Sequence, residues 1–234
     1  MKYNFSKLWS EQFLGFYQFK DFYEYASNKE FQAEYYKRLG AVGNDEEGNL
    51  IKIETPQALI DASIESNEET LEMIKNQVIV FLFTRYEFVI QDTMKCLICD
   101  KPERILDFIK AYPAYKDSLG FTLTEFMKYE SKEKYVSVMS ERLSSKVLSG
   151  KPSKVIQRLK CLLSFENIDT DVLDDLMVKR NRIVHDGTVH KLRLDELEIY
   201  YEAIENLLKT LALALRNINI AIVDNGGLLK EPPF

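Results

Sequence analysis

The chain has 234 residues, 46% of them hydrophobic and 29% charged, with 9 glycines, 6 prolines and a formal net charge of −6. This length builds a core without disulfide or metal staples, and the composition excludes disorder and favours a helix-rich globular fold over a β-sandwich. The acidic balance excludes a protein whose whole surface attracts nucleic acid, but a local basic cleft on it is compatible with transient capture of single-stranded RNA.

Met1 to Lys7 carries no continuous apolar run, and the apolar stretch from Val78 to Phe83 is interrupted by Arg85 long before it could cross a bilayer. A cytoplasmic protein with no membrane contact is expected. Three cysteines, Cys96, Cys99 and Cys161, are read as reduced thiols. Cys96 and Cys99 close an apolar helix with no second pair beside them, so they are expected as small hydrophobes and not as zinc ligands.

In chain order, residues 8–39 concentrate aromatic side chains, among them Trp9, Phe13, Phe16, Tyr17, Phe19 and Phe22. Rings at helical spacing usually pack against a neighbouring layer, so this segment is expected to be helical and to form core or interface. Gly40 to Gly48 reads as a turn or exposed loop, Leu50–Ile53 as a short strand, and Pro56 as the opening of a turn or two of helix. Ser66 followed by Glu69 has the spacing of a capping box and is expected to start the longest helix, near Asn67 to Cys99. Leu71, Ile74, Val78, Leu82 and Val89 form one apolar stripe of that helix, and Val80, Phe83, Ile90 and Met94 another, which predicts burial on two sides. Glu87 falls within the second stripe as a candidate buried carboxylate, either an arginine's structural partner or an orienting group behind a site. A short helix to Tyr112 follows Lys101-Pro102-Glu103, a capping box at Thr122 and Glu125 opens a helix that runs with interruptions to Leu148, and Lys154 to Phe165 is amphipathic.

Asn167 to Thr170 then caps a helix in which Leu173, Leu176, Met177 and Val184 make an apolar stripe with Arg180 in its middle. An unpaired guanidinium is costly to bury, so Arg180 must meet an acid, a second subunit, a water-filled cleft or an anionic ligand. Asp186-Gly187 reads as the helix end, with Gly187 in the left-handed conformation and His185 in the last turn, where the helix dipole favours an imidazolium. His190 is expected in an exposed polar turn. A helix from Asp195 to Asn217 should pack antiparallel to the preceding one, and Ile218 to Val223 reads as a late strand or extended tail.

Arg180-Asn181, three intervening residues, then His185, late in a long helix and followed by Asp-Gly, resembles the R-x(4–6)-H signature of HEPN-domain ribonucleases, of the RiboL-PSP-HEPN-like, toxin type. The residue after that arginine is usually polar, as Asn181 is. The resemblance covers approximately residues 66–217. It implies an all-α, antiparallel, HEPN-like helical bundle over 66–217, with an aromatic-rich helical N-terminal extension over 1–65 and a C-terminal tail over 218–234. It further implies a metal-independent endoribonuclease of single-stranded or looped RNA in a toxin–antitoxin or phage-defence setting, working as a homodimer, with an antitoxin or defence-system protein as a further partner. Arg180, Asn181 and His185 would be catalytic, Lys179 and Arg182 would bind substrate, and Glu87 and Asp186 would support them from behind.

Cleavage by internal transphosphorylation needs a base for the 2′-hydroxyl proton, an acid for the leaving 5′-oxygen and a cation on the phosphorane oxygens. Arg180 can serve as the cation by bidentate contact, and His185 as base or acid. One histidine cannot easily do both, which a two-fold dimer with two copies of the motif resolves. With two histidines in the chain, a rich imidazole metal site is not available, and no metal or other cofactor is called for. Two other readings stay open: an Arg180–Glu87 pair with a histidine at a helix end, which involves no catalysis, and a catalytically inactive HEPN-like interaction module.

Overall fold

The computed structural model describes residues 2–120, 126–166 and 168–229. Helix α1 (Phe5–Ala26) starts at Asn4, whose side chain accepts the Lys7 N–H at 3.0 Å, and buries Leu8, Gln12 and Phe16 on one face. Its rings do core work, as the sequence suggests. Phe16 stacks on Tyr201 with centroids 4.7 Å apart, Tyr17 meets the same ring edge-on, and the Trp9 indole N–H donates to Glu205 at 2.8 Å. α2 (Lys29–Leu39) is capped by Asn28.

β1 (Ala41–Asn44) and β2 (Leu50–Ile53) then form an antiparallel hairpin with Asn44 opposite Leu50. The second strand falls where the sequence places it; the first lies inside the expected loop. Ala-Val-Gly-Asn has little β-propensity, and Gly43 is there for space, since a Cβ would come 2.8 Å from Ile53 Cδ1.

α3 (Gln57–Asp100) spans 44 residues, about 65 Å at the standard rise. It starts just after Pro56 and passes Ser66 unbroken, so the capping-box pattern there caps nothing. Nothing between Gln57 and Ser66 stops the helix, and the Ser66 carbonyl simply accepts the Thr70 hydroxyl at 2.9 Å. From Ile79 to Ile98 the helix is buried on both expected sides, and it packs against α1, α2 and the later helices Lys132–Val147, Asp171–Asp186 and Leu194–Asn217. Arg85, on its α1 side, is buried and donates to the Glu11 carboxylate and to the Leu8 carbonyl, both at 3.0 Å.

α4 (Arg104–Ala111) is followed by a 3₁₀ turn at Pro113–Tyr115 and one α turn at Lys116–Leu119. The capping box expected at Thr122 and Glu125 lies outside the described residues. α5 (Lys132–Val147) is capped by Ser131, and α6 (Pro152–Lys160) has proline in its first turn. Arg158 donates to the Val147 and Ser149 carbonyls and closes the end of α5, so this cation is structural.

α7 (Asp171–Asp186) and α8 (Leu194–Asn217) form a hairpin against α3. Leu197, Ile204, Leu208, Leu211 and Leu215 of α8 are fully buried. Residues 218–223 do not extend into a strand; a single parallel bridge joins Ile222 to Tyr3, with Tyr3 N–H on the Ala221 carbonyl at 2.9 Å and Val223 N–H on the Tyr3 carbonyl at 2.8 Å. The chain is thus an all-α helical bundle with an aromatic-rich helical N-terminal region. Among the described residues no helix is long and apolar enough to cross a membrane.

Candidate functional site

α7 is held on three sides. Asp174 accepts the Ser153 N–H at 2.9 Å and its hydroxyl at 2.8 Å, so it caps the first turn of α6 from outside. Leu173 and Leu176 are buried. Asp175 and Lys179 face α8, where the Asp175 carboxylate takes the Lys179 ammonium at 3.0 Å and both meet the Tyr200 hydroxyl. Gly187 ends the helix at φ 65°, ψ 20°, and its N–H returns to the Arg182 carbonyl. The left-handed terminator expected from the sequence is present.

Arg180 points to the α3 side. Its guanidinium lies over the Phe83 ring, 5.5 Å from the centroid, and Nη1 donates to Asn181 Oδ1 at 3.0 Å. A guanidinium on a ring face keeps its charge and its remaining donors available. Glu87, one helical turn beyond Phe83, is half-buried; burial pushes its carboxyl up, and the nearby Arg180 charge pulls it part of the way back. The two do not close an ion pair: among the described residues, Arg180 has no carboxylate partner.

His185, Arg182 and Asp186 are exposed, and among the described residues the side chains of His185 and Arg182 make no hydrogen bond or ion pair. His185 lies five positions after Arg180, about 7.5 Å along the axis and about 140° around it. The fold therefore brings Arg180, Asn181, Phe83 and Glu87 together, and leaves His185 at the solvent-facing end of the helix. Lys179 stands apart, with its ammonium engaged by Asp175 and Tyr200. Among the described residues no group of three or more His, Cys, Asp or Glu side chains is placed to hold a metal ion. Cys96 is buried, which raises its thiol to about 11 and makes it inert at neutral pH.

Three features have no signature in the sequence. Phe83 is the platform under Arg180. Lys75 and Asn76, both 3% exposed, clasp the connection that follows the motif. Asn76 accepts the His190 N–H at 2.9 Å and donates to the His190 carbonyl at 2.8 Å, while the Lys75 ammonium meets the Leu192 carbonyl and the Glu72 carboxylate. His190 is accordingly not the exposed turn residue the sequence suggests; it is half-buried, with Nε2 enclosed and unbonded. Comparison with protein-family models, curated proteins and solved structures gave no match.

The Asp175, Lys179 and Tyr200 group gives a pH prediction. Burial pushes the Asp175 carboxyl up, but the Tyr200 and Lys179 hydrogen bonds outweigh it and leave the group below the usual carboxylate range. Burial likewise pushes Lys179 down, and its bonds to Tyr200 and Asp175 leave it above the usual amine range. A depressed acid stabilises the fold above its unfolded pKa of about 3.9, and that contribution fades as pH falls through the lower folded value; a raised amine stabilises below about 10.4 and fades only above it. The stability difference between the unsubstituted protein and Asp175→Asn should be flat from about pH 5 to 9 and shrink below about 4, as read from urea transitions across that range. A difference that already falls between pH 7 and 5 would reject this assignment.

Proposed function

We propose that the chain is a metal-independent endoribonuclease of HEPN type that cuts single-stranded or looped RNA by attack of the 2′-hydroxyl. It would work as a homodimer in a toxin–antitoxin or phage-defence setting, with the motif helices near the two-fold axis. The observation that supports this most is Arg180, a guanidinium held over Phe83 and by Asn181, with no ion-paired carboxylate among the described residues, at the midpoint of the apolar stripe. In this reading Arg180 binds the scissile phosphate and stabilises the developing charge, Asn181 orients it, and His185 transfers protons. A second His185 from the partner subunit takes the other proton step. Arg182 is available to a phosphate, whereas Lys179 acts through Asp175 and Tyr200 to fix α7 against α8.

A second reading is a catalytically inactive HEPN-like interaction module. His185 favours it, because no described side chain fixes the orientation of its ring. The deciding experiment is incubation of the purified protein with single-stranded and hairpin RNA, with and without chelator. The nuclease gives products ending in a 2′,3′-cyclic phosphate or its hydrolysis product, at a rate the chelator leaves unchanged. RNA that is bound and left intact selects the module.

A further inference from the structure

α2 leaves an apolar stripe uncovered along the flank of its buried face. Its inner face against α3 is led by Gln32, 5% exposed, with Oε1 enclosed and unbonded. Its outward stripe is Phe31, Tyr35 and Leu39 at successive i, i+4 positions, 38%, 50% and 52% exposed. Tyr25, 58% exposed, lies with its ring 4.3 Å from Phe31, and Phe31 stacks on Tyr35 at 6.5 Å, so the rings form one continuous ladder. A helix that buries a glutamine and leaves the adjoining row of rings half-exposed has part of its apolar face uncovered.

Charge indicates what covers it. Beside the apolar stripe runs a second outward row, acidic at Glu34 near the N-terminal half and basic at Arg38 toward the C-terminal end; within one chain the two pair with each other. A two-fold axis across the helix near Tyr35 sets two copies antiparallel. Tyr35 then meets its own counterpart, Phe31 meets Leu39 of the other copy, and each Glu34 meets an Arg38. The pattern is complementary to itself, which a surface evolved for a different protein need not be. Four half-exposed large side chains offer roughly 100 Å² each, hence about 800 Å² of apolar surface from two copies. With a polar rim in the usual proportion this reaches the lower end of a standard interface, about 1,200–1,400 Å².

We propose that the outward face of α2 is a self-association surface, with a second copy of this chain laid antiparallel across it through Tyr25, Phe31, Tyr35 and Leu39. The surface contains none of the residues around Arg180, so it stands or falls independently of the nuclease reading.

The test uses the full chain in two charge variants, Glu34→Arg and Arg38→Glu. Alone, each places like charges opposite one another and should associate at least tenfold more weakly than the unsubstituted protein in sedimentation equilibrium. Mixed, the two should associate with each other at least tenfold more tightly than either does with itself, measured by anisotropy of one labelled variant. A folding defect cannot produce that recovery on mixing. Tyr35→Glu should abolish the α2 contact, leaving no more association than the motif helices alone support, and leave the helical circular dichroism unchanged. Equal self and mixed affinities, or association indifferent to Tyr35→Glu, would overturn the proposal and leave the face to another protein. Arg180→Ala should not alter this contact.

Discussion

On the nuclease reading, replacing His185 by alanine should lower RNA turnover by roughly 10²–10⁴, the range for losing a general acid or base, and Arg180→Ala should fall in the same range. Neither loss can be attributed to unfolding. His185 is exposed and its side chain has no partner among the described residues, so its truncation should change stability by no more than about 0.5 kcal/mol. Removing Arg180 strands no ion-paired carboxylate: Glu87 is already shifted toward its neutral form by burial, and without the neighbouring cation it moves further that way. Arg180→Lys separates charge from geometry. It keeps a cation but loses the planar stack on Phe83 and the bidentate fork, and should lie between the unsubstituted protein and the alanine variant. Initial rates on a labelled single-stranded RNA, with urea transitions run in parallel, check all three. Full-rate cleavage by the His185→Ala protein would sink the nuclease reading.

The larger effect on stability belongs to Asn76. Its side-chain amide completes the hydrogen bonding of both backbone groups of His190, as a neighbouring strand would, in a connection that has no secondary structure of its own. Asn76→Ala leaves that N–H and C=O short of partners and should cost about 1–3 kcal/mol in urea unfolding. Asn76→Asp keeps the acceptor for the His190 N–H, loses the donor and brings a charge to a buried position, so it should do no better than alanine. A change below about 0.5 kcal/mol in the alanine variant would show that water replaces these bonds at little cost.

What the sequence revealed and what it concealed divide along the distance between interacting residues. α7 and α8 are legible because their apolar spacing, the dipole-matched Asp171 and Asp174 and the terminating Gly187 are all local signals. The start of α3 misled for the same reason: Ser66 and Glu69 have capping spacing, but a cap operates only where the preceding backbone leaves the helix. β1 was concealed because Gly43 serves the packing of Ile53, a partner known only after the strands pair. The Asn76 clasp joins residues 114 positions apart, and no periodicity within α3 marks two polar side chains as buried. At the candidate site the sequence required Arg180 to have some unusual neighbour. It could not distinguish an acid from the face of Phe83, nor show that Lys179 is engaged by Tyr200.

The unbroken run of α3 carries a gradient of local stability. From Gln57 to Thr70 nearly every residue but Ile60 faces at least partly into water, whereas Ile79, Leu82, Val89, Ile90 and Leu97 are wholly enclosed. Amides of the first stretch can exchange through fraying of a few turns, while those of the second exchange only when the whole molecule opens. α2 rests on the soft end of this helix and Phe83 lies toward the hard end. Tension or ordering applied at α2 would be absorbed in the outer turns, and the platform beneath Arg180 would stay fixed.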